Sequence, residues 1–359
     1  MKATVSQSDL HHALKLVSRA VGSAKMHPIL CNVLLKATGG KLSATCYNID
    51  LGIDSSVMAV VELSGETTIP HRLLADIVSK IDRQAAINLE LVDTFLTLRT
   101  PAGCYKLAAT SADDFPSLPT VADKDAAVVS IAEPLKAVLS SCSSDESKQV
   151  LTGVHLVANG KTLKLEATDG HRLFVRKQAC KIDGIDLLIP GKTMHQILRI
   201  DSPEISICSD GHQVRIGFDD DTTIISRLLD GQFPDVDKLI PPTFQHTLCV
   251  NRKSLIDSLE RISVVSDSGS NVVGLSTSEE LGSLLIAAEC ETGSGSESLT
   301  RTGTLPDLFF NVHYLLDGIK NLSTDDIVIK ANNSTAPVII QETDCDDSIY
   351  LVMPVMKRK

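Results

Sequence analysis

Ile69-Pro70-His71-Arg72-Leu73-Leu74 is the stretch that decides the fold, because its outline returns twice along the chain. Ile189-Pro190-Gly191-Lys192-Thr193-Met194 and Phe310-Asn311-Val312-His313-Tyr314-Leu315 share the pattern, a strand-like apolar start running into a helix. The three begin at residues 69, 189 and 310, a period of about 120 residues that marks a repeat architecture. Each continues with helical spacing: Leu74, Ile77, Val78 and Ile81; then Met194, Ile197 and Leu198; then Leu315, Leu316, Ile319 and Leu322.

A second helix heads each unit. It carries Leu10, Leu14, Val17 and Val21 in the first, and Leu135, Val138, Leu139 and Cys142 in the second, with Pro134 in its opening turn. In the third it carries Leu255, Ile256, Leu259 and Ile262. A turn also recurs at unit ends, as Asp114-Phe115-Pro116 and Gln232-Phe233-Pro234. Between the helices the apolar period falls to two, as in Leu163, Leu165 and Ala167 or Ile87, Leu89 and Leu91. Similar runs span residues 205–207, 214–218 and 338–340, and turns such as Thr38-Gly39-Gly40 and Ser209-Asp210-Gly211 join them. The expected fold is α+β: three tandem repeats of a two-helix, antiparallel-sheet domain, at residues 1–122, 123–244 and 245–359. Residues 120–124 and 241–246 read as linkers.

At 359 residues, 43% hydrophobic and 22% charged, the composition is that of a globular chain too long for one core. Nine cysteines are scattered with no Cys-x-x-Cys spacing, so free buried thiols in a reducing cytosol are expected. The start, Met1-Lys2-Ala3-Thr4-Val5, lacks the apolar run of a signal peptide, and no run of 18 apolar residues exists. A cytoplasmic location is expected, with neither metal nor cofactor.

The net charge of −11 weighs against adhesion to nucleic acid. By thirds it runs 0, −4 and −7. Yet every expected helix bears outward cations: His11, Lys15 and Arg19 on the first, then Arg72, Lys136, Lys192, Arg252 and Lys320 on the others. Such a chain would hold DNA weakly unless it segregates its cations or retains DNA topologically.

Four motifs carry a family resemblance. They are His27-Pro28-Ile29-Leu30-Cys31-Asn32-Val33, Ala167-Thr168-Asp169-Gly170-His171-Arg172-Leu173, Leu229-Asp230-Gly231-Gln232-Phe233-Pro234-Asp235 and Tyr350-Leu351-Val352-Met353-Pro354-Val355. In this order, over the whole chain, they resemble the bacterial DNA sliding clamp, the beta subunit of DNA polymerase III. The resemblance implies a non-enzymatic processivity subunit. Two protomers would close head to tail into a ring around duplex DNA, helices lining the hole. It implies the polymerase alpha subunit, the clamp loader, and other polymerases and repair proteins as partners, bound through short Leu/Phe-containing peptides.

The same resemblance places the peptide pocket at Leu151, Thr168, Gly170, His171, Arg172 and Leu173. The Pro234 turn, Leu239, Asn311, Tyr314 and the run Leu351, Val352, Met353, Pro354 and Val355 complete it. A pliable Met among apolar neighbours suits Leu and Phe anchors. DNA contact falls to Lys25, Arg72, Lys148 and Lys192, and ring closure to Tyr105, Val264 and Val265. The chain departs from the family at Gln149-Val150, where an aromatic pair is replaced. It departs again at Ala102 and Cys104, where basic residues are replaced, and at Ser270-Asn271 and the tail Met356-Lys357-Arg358-Lys359.

Asp169 and His171 also allow an enzymatic reading, with Asp orienting a His base. That needs a nucleophile or metal as well, and no Gly-x-Ser-x-Gly, Walker or His-Glu-x-x-His pattern is present. The acidic runs 219–221 and 344–347 lack calcium-loop spacing and read as hairpin tips.

Overall fold

A computed structural model describes residues 1–24, 27–122, 126–266, 271–278 and 282–356. The chain divides into two compact units, one of Met1–Ile131 with Gln196–Leu228, the other of Ala132–His195 with Leu229–Lys359.

In the first unit, period-two alternation becomes two antiparallel sheets. The five-stranded sheet runs Val60–Leu63, Lys2–Ser6, Ala86–Val92, Phe95–Thr100, Gly103–Ala108. Ile87, Leu89, Leu96 and Leu98 are fully buried on its inner face. The eight-stranded sheet runs Ala127–Val129, Ile205–Ser209, Gln213–Gly217, Thr222–Arg227, Leu51–Met58, Lys41–Tyr47, Asn32–Thr38, Gly65–Pro70. Helix α1 (Gln7–Val17) starts where the Ser6 hydroxyl accepts from the Asp9 N–H, and buries Leu10, Leu14 and Val17. It packs on α2 (His71–Lys80) and on the strands Lys41–Tyr47 and Leu51–Met58.

The second unit is organised by one twelve-stranded antiparallel sheet. From one edge it runs Asp183–Pro190, Gly153–Asn159, Thr162–Thr168, Arg172–Ala179, Ser348–Val352, Val338–Glu342. It continues through Asp326–Ala331, His246–Asn251, Gly293–Gly303, Ser283–Cys290, Val272–Ser278 and Leu308–Asn311. Helix α3 (Ala132–Leu139) lies on the strands Thr162–Thr168 and Arg172–Ala179, with Pro134 in its first turn. There a missing N–H costs no hydrogen bond. Helix α4 (Gly191–Ile197) follows the strand Asp183–Pro190. Helix α5 (Arg252–Ser263) is capped by Asn251, and α6 (Val312–Ile319) by Asn311, whose side-chain Oδ1 accepts from the His313 and Tyr314 N–H groups.

Two expectations need correction. Several helices stop short of their apolar patterns: Val21, Ile81, Cys142 and Leu322 all lie past the last α-helical residue. Tight turns close the ends, as where the Ile81 N–H donates to the Val78 carbonyl. The cysteines are all free, but only Cys46 and Cys208 are buried, and Cys104 is exposed. Burial pushes the Cys142 thiol up to about 12, so it stays protonated. The acidic runs do sit between paired strands, and the Lys41 ammonium reaches Asp221 at 2.6 Å.

Candidate functional site

Among the proposed pocket residues, those at 168–173 form one hydrogen-bonded turn between the strands Thr162–Thr168 and Arg172–Ala179. Gly170 sits at φ +92°, a left-handed conformation that glycine adopts without steric cost. The His171 and Arg172 N–H groups donate to Asp169 Oδ1 at 2.9 and 3.0 Å. The Thr168 hydroxyl donates to the Arg172 carbonyl at 2.7 Å and accepts from the Gly170 N–H at 3.1 Å. Asp169 is therefore occupied in shaping the turn and is not paired with the His171 ring.

Arg172 is the hub. Its Nε donates to Asp169 Oδ2 at 3.0 Å and its Nη1 to Asp317 Oδ2 at 2.6 Å. Its guanidinium lies 4.4 Å from the Tyr314 ring centroid, and the His171 ring stacks on that tyrosine at 6.3 Å. Its side chain is only 11% exposed. That burial works against the charge, but the Asp317 hydrogen bond, with Tyr350 and Asp169 nearby, outweighs it and raises the pKa further.

The strand Ser348–Val352 pairs with Arg172–Ala179, setting Leu173 opposite Leu351 and Arg172 opposite Val352. Beyond it the Met353 N–H donates to the His171 carbonyl, and the Val355 N–H to the Phe309 carbonyl, each at 2.8 Å. The Tyr350 hydroxyl donates to the Tyr314 carbonyl at 2.7 Å, tying α6 to this strand. A Cβ on Gly318 would collide with the Tyr350 ring, so helix and strand approach this closely only with glycine there. Leu173 and Leu351 share an apolar cluster with Val175, Leu188, Phe233, Val236 and Ile339, and Met353 packs against it.

The remaining pocket candidates are more peripheral. Pro234 is exposed beside buried Phe233, and Leu239 is 48% exposed at the end of the 3-10 turn Val236–Leu239. Leu151 is half-buried, its carbonyl accepting from the Ser143 N–H, while its neighbour Val150 packs on the cluster. Asn311 caps α6 beneath Tyr314, and Pro354 is half-buried. The sequence reading passed over Asp317 as a site residue, although it lies one helical turn after Tyr314. It also passed over Phe233 and Val236, which share the apolar cluster of Leu173 and Leu351.

The candidate DNA contacts look different. Arg72 is 96% exposed with Asp76 Oδ2 3.9 Å away, and Lys192 reaches Glu146 at 2.7 Å. Lys148 is exposed in the 3-10 segment Glu146–Thr152. Lys25 and Ser270 lie outside the described residues.

For the candidate interface, Tyr105 is 40% exposed on the strand Gly103–Ala108, at one edge of its five-stranded sheet. Val264 is the most exposed residue of its group at 82%, just past α5, and Val265 is half-buried. A Cβ on Gly295 would press on the Val265 side chain, so Val265 borders the strand Gly293–Gly303. That strand pairs with Ser283–Cys290 along residues 293–300, but with His246–Asn251 only through residues 301–303. The other flank of residues 293–300 is an open edge among the described residues.

Helix-backed antiparallel sheets of this layout are the architecture of sliding clamps. The structure superposes on a DNA polymerase sliding clamp from Bacillus subtilis with a TM-score of 0.94 and 25% identity, covering 100% of both chains. The beta sliding clamps of Synechococcus elongatus and of a Synechocystis strain are each 38% identical to it, over 99% or more of both chains. Models of the N-terminal, central and C-terminal domains of the DNA polymerase III beta subunit match residues 1–119, 128–235 and 237–356. The chain belongs to the DNA polymerase III beta-subunit family, the sliding clamps, which are non-catalytic processivity subunits of DNA replication. No helix among the described residues is long and apolar enough to cross a membrane.

Proposed function

We propose that two copies of this chain close head to tail around duplex DNA, each copy contributing three like domains at 1–122, 123–244 and 245–359. The turn at 168–173 and the strand beside it then receive short Leu/Phe-containing peptides from partners in the cytoplasm. These partners include the DNA polymerase III alpha subunit, the clamp loader, and other polymerases and repair proteins. The observation that carries the peptide reading is that Arg172 lies on Tyr314 while Met353, bonded to the His171 carbonyl, packs on the apolar cluster of Leu173 and Leu351. A floor that takes apolar anchors, rimmed by oriented polar groups, is what a short peptide needs.

Ring closure is supported by two different open strand edges, at residues 103–108 and 293–300, each with exposed apolar side chains close by. Unlike edges that complement one another give a heterologous interface, which must close to avoid a filament. Lys25, Arg72, Lys148 and Lys192 contact phosphates without reading bases. Encirclement reconciles DNA retention with a net charge of −11.

The test is topological. Purified protein should have the solution mass of a dimer, and should stay on nicked circular DNA after loading by a clamp loader and ATP. Cutting that DNA should release it. Retention on linear DNA with free ends would overturn the ring.

A further inference from the structure

We propose that His155 is a positioning residue for the peptide pocket, making partner binding weaken as pH rises through the histidine's titration. The inference rests on the pocket reading above.

His155 lies on the strand Gly153–Asn159, with its side chain 18% exposed. Its Nδ1 is 2.8 Å from Glu166 Oε1, and its Nε2 is 2.8 Å from Asp186 Oδ1. Glu166, on the neighbouring strand, is almost wholly buried. Its second oxygen lies 2.9 Å from the Lys164 ammonium, which also reaches Asp237 at 3.3 Å. Asp237 belongs to the turn Val236–Leu239, the one that carries Leu239. The His155 ring rests on Phe233, centroids 5.0 Å apart, and Phe233 shares its apolar cluster with Leu173 and Leu351. One histidine thus holds the pocket's turn twice: through its ring on Phe233, and through Glu166 and Lys164 to Asp237.

The protonated form suits this arrangement. Only imidazolium can donate to both carboxylates, and a cation over an aromatic face is held more firmly than a neutral ring. The charged groups facing it are Glu166 and Lys164 from one adjacent strand, Asp186 from the other, and Asp237 beyond Lys164. Burial opposes protonation, but the hydrogen bonds to Glu166 and Asp186 outweigh it and raise the pKa above the ordinary histidine value. When the ring loses its proton it keeps a single N–H, so it can serve only one of the two carboxylates, and buried Glu166 loses the cation beside it. Lys164 is drawn toward it and away from Asp237, while the grip on Phe233 slackens. The folded-state pKa is raised, so the contribution is complete below the unfolded value and is lost as pH climbs through the folded one.

The experiment measures affinity for a synthetic peptide carrying Leu and Phe, by fluorescence polarisation on the full chain. Between about pH 6 and about pH 8.5 the wild type should lose affinity roughly threefold or more, and His155→Gln should show a flat profile. Asp237→Asn should reduce the dependence without removing it, because the Phe233 contact remains. A flat wild-type profile, or the same slope in His155→Gln, would overturn the proposal. If no peptide binds at any pH, it is the pocket reading that fails. The relay is then decided in the free protein by NMR, where the Val236 and Leu239 methyl shifts should follow the His155 titration. Methyl shifts independent of it would sink the relay. The same spectra show whether His155→Gln is folded.

Discussion

The turn at 168–173 and the cation-bearing helices handle charge in opposite ways. At the turn, Arg172 is held between Asp169 and Asp317, lies against Tyr314, and is nearly out of water. On α2 and α4, Arg72 and Lys192 stand in solvent beside carboxylates that are themselves largely exposed. A buried, fully partnered charge fixes geometry; an exposed pair trades partners at almost no cost. The first arrangement suits recognition of a defined ligand. The second suits passing contact with a uniform row of phosphates.

The sharpest test of the contrast is to remove a cation from each region. Arg172→Ala should lower the unfolding free energy by about 3 kcal/mol, since it strands the inner Asp169 carboxylate. Lys192→Ala should fall within about 0.5 kcal/mol of the parent, as exposed sites do. Urea denaturation reads both, and equal losses would erase the distinction.

Cutting the chain after Val352 comes next. It removes the Met353 N–H donated to His171 and the apolar tail, and should weaken peptide binding at least about tenfold. Unchanged affinity by calorimetry would remove the tail from the site. The combined Arg72→Ala, Lys148→Ala, Lys192→Ala variant should leave peptide affinity alone. It should instead flatten the salt dependence of DNA association by up to about one log–log unit per residue. Loss of peptide binding there would couple two regions that the comparison separates.

The smallest effect is at Glu297. The Arg261 guanidinium donates to it twice, at 2.7 and 2.6 Å, and holds its carboxyl at about 2. The pair's contribution is present above the ordinary glutamate pKa and is lost only as pH falls through about 2. Carboxyl-carbon NMR should show an ionised Glu297 at pH 3, and Arg261→Ala should move its titration up toward the ordinary glutamate range.

Much of this is legible in the sequence, and most of what is not depends on long-range pairing. Alternation at Leu163, Leu165 and Ala167 announces a strand because side-chain direction is a local property. Asp169-Gly170 announces a turn for the same reason. Nothing local says that Arg172–Ala179 will pair with Ser348–Val352, so the sheets' passage across the expected repeat boundaries was not foreseen. The partnership of Arg172 with Asp317 and the clustering of Phe233 and Val236 with Leu351 depend on that pairing too. The overlong helices err differently. Leu322 is buried like a helical core residue, yet it lies past the end of α6, and burial alone does not distinguish the two.

The strand Ser348–Val352 has a consequence for timing. It is an interior strand, hydrogen-bonded on one side to Arg172–Ala179 and on the other to Val338–Glu342. During synthesis, residues 168–173 leave the ribosome long before the strand that completes them. Until Ser348–Val352 has left the ribosome and paired, Arg172–Ala179 is an unfinished border, and the proposed peptide site is incomplete. Under the proposed function, competence to bind a partner peptide arrives only with the closing of the sheet.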